Sequence, residues 1–299
     1  MRNTRDSEGR SWGVVANVVM ILATAVCILP VVLLLMASIT DESTIVRNGY
    51  SFFPAKFGST AYEYLMVRKA TILRAYGISA SVTVVGTCCG LIVMSMLAYP
   101  LSRKDLPHRH LFTFLVVFTM LFNGGLVPTY LLYTQILHIK NTILALIVPN
   151  LLVGGFYVLM LKSYFTSSIP DAVIESAKLD GLDDFRMLFL IVYPLATPVL
   201  ATVALLQGIS YWNDWFNGLI YLTDSKLFSI QNLLNRILMD VQFMASSTMG
   251  AEAVSAVANL PSVTVRMAIA VLGVLPMLIA YPFFQKHFVR GIAMGSVKG

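Results

Sequence analysis

Residues 168–194 read SIPDAVIESAKLDGLDDFRMLFLIVYP, and the rest of the chain is best understood outward from this stretch. Pro170 and Asp171 suit the first turn of a helix: proline needs no partner for an N–H there, and an acid favours the positive end of the helix dipole. Gly181 fits the position just past a helix end, where left-handed backbone costs glycine little. Asp183 and Asp184 can open a second short helix, which Pro194 bends or ends. The spacing therefore predicts helix, glycine turn, helix.

On both sides of this polar stretch the sequence turns apolar. Of 299 residues, 57% are hydrophobic and only 12% charged, with a mean hydropathy of +0.77. Soluble domains carry about 25% charged residues, so the chain lacks the polar surface to face water all round. The expected fold class is all-α, a polytopic membrane protein. A crossing helix needs about 20 mainly apolar residues. Stretches free of Asp, Glu, Lys and Arg predict six transmembrane helices: 14–39, between Arg74 and Arg103, between Arg109 and Lys140, between Lys140 and Lys162, between Arg186 and Asp214, and between Arg266 and Lys286. The first follows a basic segment (Arg2, Arg5, Arg10) but is too long for a signal-peptide core, and no small-x-small cleavage site follows it.

Six spans place both termini on one side. With N- and C-termini cytoplasmic, segments 1–13, 102–110, 162–187 and 285–299 carry 12 Lys and Arg, against 9 in the longer external segments 40–74, 134–140 and 214–266. This bias follows the positive-inside rule, although Arg68, Lys69 and Arg74 oppose it. The expected organisation is a cytoplasmic N-terminal segment 1–13, a transmembrane domain 14–284 that contains the loop 168–194, and a cytoplasmic tail 285–299. The net charge of +6 sits singly between apolar runs rather than in a patch, which argues against nucleic acid as a partner. Pro30, Pro149 and Pro276 are each expected to kink a helix or end a half-helix. Gly86-x-x-x-Gly90 has the small-residue spacing that lets helices approach closely, and Gly154 and Gly155 are small residues expected to allow the same approach.

The stretch 168–194 resembles the EAA loop of ABC-importer permeases, whose pattern is E-A-A, three residues, G, nine residues, I-x-L-P. Glu175-Ser176-Ala177, Gly181 and Ile191-Val192-Tyr193-Pro194 keep both spacings, departing only at Ser176 and Tyr193. The resemblance implies the type I ABC-importer permease fold. It also implies a coupling helix that docks on a cytoplasmic ATPase through Glu175, Ser176, Ala177, Asp180, Gly181, Ile191 and Pro194. Ser176 and Ala177 are small enough to let that helix sit close against the ATPase. The C-terminal Gly291-Ile-Ala-Met-Gly295-Ser-Val297-Lys298-Gly299 resembles the end of the shorter permease of maltose importers, which implies ATPase contacts by Gly295, Val297 and Lys298. Two further elements, Tyr211-Trp212-Asn213-Asp214-Trp215-Phe216-Asn217 and Gly124-Gly125-Leu-Val-Pro128-Thr-Tyr130, are similar to those of carbohydrate-uptake permeases such as the maltose and alginate systems. The implied function is binding-protein-dependent import of sugars, with oligosaccharides as the implied cargo, in the prokaryotic cytoplasmic membrane. The implied partners are a homologous second permease, two ATPase subunits that bind ATP and Mg, an extracytoplasmic substrate-binding protein and membrane lipids.

Polar and aromatic residues inside spans mark cavities or interfaces. Gln207, Tyr211, Trp212, Asn213 and Asn150 are the candidates for the substrate pathway, with the interfacial aromatic belt as the competing account of the tryptophan. No catalytic or metal residues are expected. There is no phosphate-binding G-x-x-x-x-G-K-[ST], no H-E-x-x-H and no G-x-S-x-G, and the four histidines lack ligand spacing. Cys27, Cys88 and Cys89 lie in apolar runs and read as small buried hydrophobes. Two alternatives stay open at this point: an ABC-importer permease for a non-sugar solute, and an ion-coupled secondary transporter.

Overall fold

A computed structural model describes residues 3–246 and 262–295. In chain order the helices are α1 (Asn3–Ser38), α2 (Glu42–Asn48), α3 (Thr60–Met66), α4 (Lys69–Ser102), α5 (Arg109–Leu121) and α6 (Leu126–Leu131), which runs on as a π-helical turn, Leu132–Ile136. Then come α7 (Leu144–Ile147), α8 (Gly155–Ser168), α9 (Asp171–Leu179) and α10 (Asp184–Met187), continued by a second π turn, Leu188–Val192, and α11 (Tyr193–Leu195). The chain continues through α12 (Thr197–Trp212), α13 (Phe216–Tyr221), α14 (Ile230–Ser246) and α15 (Ser262–Gly295). Among the described residues the extended pairing is confined to one isolated bridge, Thr40 with Phe57.

The helices group into two compact units. One comprises residues 1–69 and 236–275. Its α1 presents apolar side chains outward along most of Gly13–Ser38, as a helix bathed in lipid should. After α1 the chain doubles back, and Glu42 reaches across to the start of α15. Its carboxylate accepts from the N–H groups of Val263 and Thr264 at 2.9 Å each and from Thr264 Oγ1 at 2.6 Å. Two donors that a helix start leaves without intrahelical partners are thereby satisfied by a charge of the favourable sign. We expect Glu42→Ala to lower stability by about 1–2 kcal/mol and Glu42→Gln to recover part of it, read as thermal midpoints in detergent.

The other unit comprises residues 70–235 and 276–299, and α4 is its spine. Gly86 and Gly90 face α12: a Cβ on Gly86 would meet the Tyr211 ring at 2.5 Å, and one on Gly90 would meet Gln207 Nε2 at 2.1 Å. The close approach expected of this glycine pair is thus a pair of notches that receive two side chains. Gly155 does the same for Met120, with a Cβ there coming within 2.7 Å, so α8 lies tightly on α5. Toward one end, Met94, Ala98 and Tyr99 of α4 bury themselves against Leu161 and Phe165 of α8 and against Met187 and Val192.

Six unbroken spans are not what the described residues form. Two helices, Gly13–Ser38 and Lys69–Ser102, are long and apolar enough to cross a membrane, and two further apolar pairs are sharply bent. The predicted third span turns by 110° between α5 and α6. There Gly125 takes φ +86 and its N–H donates to Asn123 Oδ1 at 2.8 Å. The predicted fourth is interrupted around Pro149, with Asn150 left-handed at φ +60, and resumes only as the 14-residue α8. The predicted fifth turns by 89° at Ala196, between Pro194 and Pro198. Where broken backbone occurs in an apolar setting, its carbonyls need partners. By contrast Pro30 and Pro276 lie inside unbroken helices. At the ends the helices run on past the apolar stretches: α1 takes in most of segment 1–13 and α15 continues to Gly295. Cys27, Cys88 and Cys89 are exposed within the chain rather than buried, because they face away from the helix contacts.

Candidate coupling site

Helix α9 is set by local chemistry. It ends in a full Schellman motif: Gly181 takes φ +82, the Leu182 N–H donates to the Ala177 carbonyl at 3.1 Å, and the Gly181 N–H donates to that of Lys178 at 3.1 Å. A Cβ at Gly181 would meet nothing within 4 Å, so substitution there costs backbone strain alone. Gly181→Ala should lower the thermal midpoint by the equivalent of about 1–2 kcal/mol, with Gly181→Asn milder. Two residues on, Asp183 caps α10, its Oδ1 accepting from the Arg186 N–H at 2.7 Å. The π turn that follows carries Ile191, which is half-buried against the core, and α11 ends the stretch with Pro194 exposed.

The faces of α9 are sharply divided. Ile174 and Ala177 are buried in the chain's own core, Ala177 with 4% of its surface exposed. Glu175, Ser176 and Asp180 are exposed. At about 100° per residue, the side opposite the buried stripe carries Ala172, Glu175, Ser176 and Leu179, and Leu179 is 89% exposed. Ala177 was expected to allow close approach of a partner, and here the structure corrects the sequence: its small side chain serves the approach of α9 to its own bundle. Leu179 escaped the sequence reading, although its position on the wheel opposite Ile174 was the available signal.

Ion pairs flank this helix. Lys104 Nζ lies 2.8 Å from Asp171 Oδ2 and Lys178 Nζ 3.0 Å from Asp105 Oδ2, while Arg103 Nε is 3.4 Å from Asp105 Oδ1. The hydrogen bond from Lys178 holds the Asp105 carboxyl below the ordinary 3.8, and that from Lys104 does the same for Asp171. Both depressions mean that the pairs favour the folded arrangement above that pH, and that their contribution fades as acid protonates the carboxylates.

The residues read as a substrate pathway divide in two. Gln207, 1% exposed, donates from Nε2 to the Leu151 carbonyl at 3.1 Å, and Tyr211 Oη donates to that of Ile147 at 2.9 Å. Asn217, which sequence reading passed over, donates from Nδ2 to the Pro149 carbonyl at 3.0 Å. Three side chains from α12 and α13 thus bind three alternate carbonyls, from the last residue of α7 into the interrupted segment before α8. Gln207 and Tyr211 are consequently occupied in holding that break. Trp212 is buried and stacks on Tyr76 with ring centroids 6.2 Å apart. Asn213 and Asn150 are exposed and remain accessible. Gly295 closes α15, whereas Val297 and Lys298 lie outside the described residues. Among the described residues no cluster of three metal-ligating side chains occurs.

A family model described as "Binding-protein-dependent transport system inner membrane component" matches residues 9–294. The chain belongs to this family. It is a permease component of an ABC importer of the inner membrane, and family membership sets the ion-coupled carrier aside. Relatives extend over nearly the whole permease. It is 37% identical to the polygalacturonan/rhamnogalacturonan transport system permease protein YtcP of Bacillus subtilis over 94% of this chain and 96% of that protein. It is 37% identical to Protein LplC of the same organism, over 92% and 90%. To an arabinooligosaccharides transport system permease protein, AraQ of Halalkalibacterium halodurans, it is 26% identical over 92% of each. A crystal structure of a bacterial ABC transporter involved in the import of the acidic polysaccharide alginate contains a chain that superposes with a TM-score of 0.77 at 27% identity, covering 94% of this permease and 98% of that chain. The type I permease fold is thereby established for this chain.

Proposed function

We propose that this permease carries oligosaccharides inward as one of two homologous membrane subunits, driven by ATP hydrolysis on two partner ATPase subunits and fed by an extracytoplasmic binding protein. The observation that carries the cargo is the end-to-end similarity to permeases named for saccharides of more than one unit and to a chain of a transporter involved in alginate import. ATP and Mg belong to the partners in this reading, and the chain contributes no ATPase site of its own.

Coupling runs through α9. Its inner face is joined to the bundle by Ile174 and Ala177, and burying the isoleucine alone contributes about 1.5–3 kcal/mol. Its outer face, with Glu175, Ser176 and the exposed Leu179, meets the ATPase on the cytoplasmic side. Leu179 offers apolar area for a cleft, and Glu175 can accept hydrogen bonds across the contact. Asp180 and Gly181 fix the end of the helix, while Ile191 and Pro194 join it to the bend before α12. Movement of the ATPases then reaches α4 and α8 through one packed joint. The tail residues Val297 and Lys298 complete the ATPase contact in this reading. Asn150 and Asn213 are the polar groups free to touch cargo.

The test is reconstitution of the complete importer in proteoliposomes. ATP hydrolysis should rise when the binding protein is loaded with trigalacturonate, arabinotriose or raffinose. Stimulation by a peptide or amino acid, with none of these saccharides active, would move the cargo to another solute class.

A further inference from the structure

We infer that the two ion pairs Lys104–Asp171 and Lys178–Asp105 are positioning elements that fix the roll of α9 about its own axis and so aim its outer face at the ATPase. This rests on the coupling reading above and adds residues that the EAA pattern does not contain.

The contact between α9 and its bundle is narrow. Ile174 and Ala177 lie about 60° apart around the axis, so the buried stripe alone gives the helix little to resist rolling. Asp171 and Lys178 fall within about 20° of one another on a single flank of that stripe. They sit at opposite ends of α9, the acid in the first turn and the base in the last. Lys104 and Asp105 are adjacent in the turn after α4 and reach opposite ends of the helix, at 2.8 and 3.0 Å. The order of charges permits only this direction, since the reverse would set Lys104 beside Lys178 and Asp105 beside Asp171. A roll of 30° would carry a side chain near the rim, such as Leu179, by about 3 Å, enough to miss a fitted cleft.

Magnitude decides what the pairs do. All four side chains are at least two-fifths exposed, and exposed pairs contribute little to stability. They are too weak to anchor α9, which the apolar stripe does, but sufficient to choose between rolls that bury nearly equal area.

A charge-swap cycle in the complete importer tests this. The variants are K104D, D171K and K104D/D171K, with the neutral K104Q and D171N as milder breaks. Proteoliposomes give ATP hydrolysed per labelled trigalacturonate imported, and co-purification of the ATPase subunits gives assembly. The single variants should retain the ATPase subunits but raise the ATP consumed per sugar about two- to five-fold, the range expected for exposed pairs; the double swap should bring the ratio back. An unchanged ratio in all single variants, or no recovery in the swap, overturns the positioning role. If the unaltered chain itself failed to retain the ATPase subunits, the coupling reading would fall instead, and that outcome is distinct from the other two.

Discussion

Leu179→Asp should reduce sugar uptake by the assembled importer about 100-fold or more while leaving the permease itself folded. The residue is 89% exposed in the last turn of α9 and contributes nothing to the chain's own core, so its replacement has no internal cost to exact. Against an apolar cleft the change forfeits about 1.5–3 kcal/mol of leucine burial and places a carboxylate where hydration is removed. Together these exceed the ~2.7 kcal/mol that corresponds to a hundredfold loss. Leu179→Met, which keeps volume and character, should cost less than tenfold. Uptake of labelled oligosaccharide, beside co-purification of the ATPase subunits, measures both. Uptake by the aspartate variant at the unaltered rate would mean that the outer face of α9 is not the docking surface.

Gly90→Ala should destabilise the permease by about 2–4 kcal/mol, well beyond the usual range for one added methyl group. Its Cβ would lie 2.1 Å from Gln207 Nε2 and 2.8 Å from the Leu152 carbonyl oxygen. The amide can swing aside, but it then abandons the Leu151 carbonyl; the Leu152 oxygen is main chain and cannot. Both outcomes leave buried polar groups without partners in an apolar setting. Gly208→Ala on α12 is the control, because the nearest atom to its Cβ is 3.6 Å away. It should be neutral or slightly stabilising through helix propensity. Unfolding midpoints in detergent for the two variants should separate clearly, and coincident midpoints would show that the notch is not filled as described.

How much of this was legible beforehand follows the range of the interactions. The turn between α9 and α10 is written in neighbouring residues: Gly181 supplies the left-handed step and Asp183 the next cap, so sequence spacing sufficed. The interruptions of the third, fourth and fifth spans were not legible as such. Hydropathy sums composition over a window, and the segments around Asn123 and Pro149 are apolar enough to pass, whereas their geometry is set by where free carbonyls find donors. Pro149 did signal an ended half-helix. What no local reading supplied was that Tyr211, Asn217 and Gln207, all more than 50 residues later, bind the Ile147, Pro149 and Leu151 carbonyls. A polar amide inside a span was correctly placed in the interior, but its partner turned out to be main chain. Ala177 illustrates the same limit: a small residue marks a close approach without saying which body approaches.

The Glu42 carboxylate has a further consequence, for how the chain is made. Its donors at Val263 and Thr264 stand 221 and 222 residues downstream. At roughly 5–20 residues per second, Glu42 leaves the ribosome about 10–40 s before they exist. During that interval the acid has to stay hydrated at the membrane boundary, and α1 and α2 are held only by what has already been synthesised. Closure of the amino-terminal hairpin thus waits for the last helix, so a nascent permease released early would lack the clasp that ties its beginning to its end.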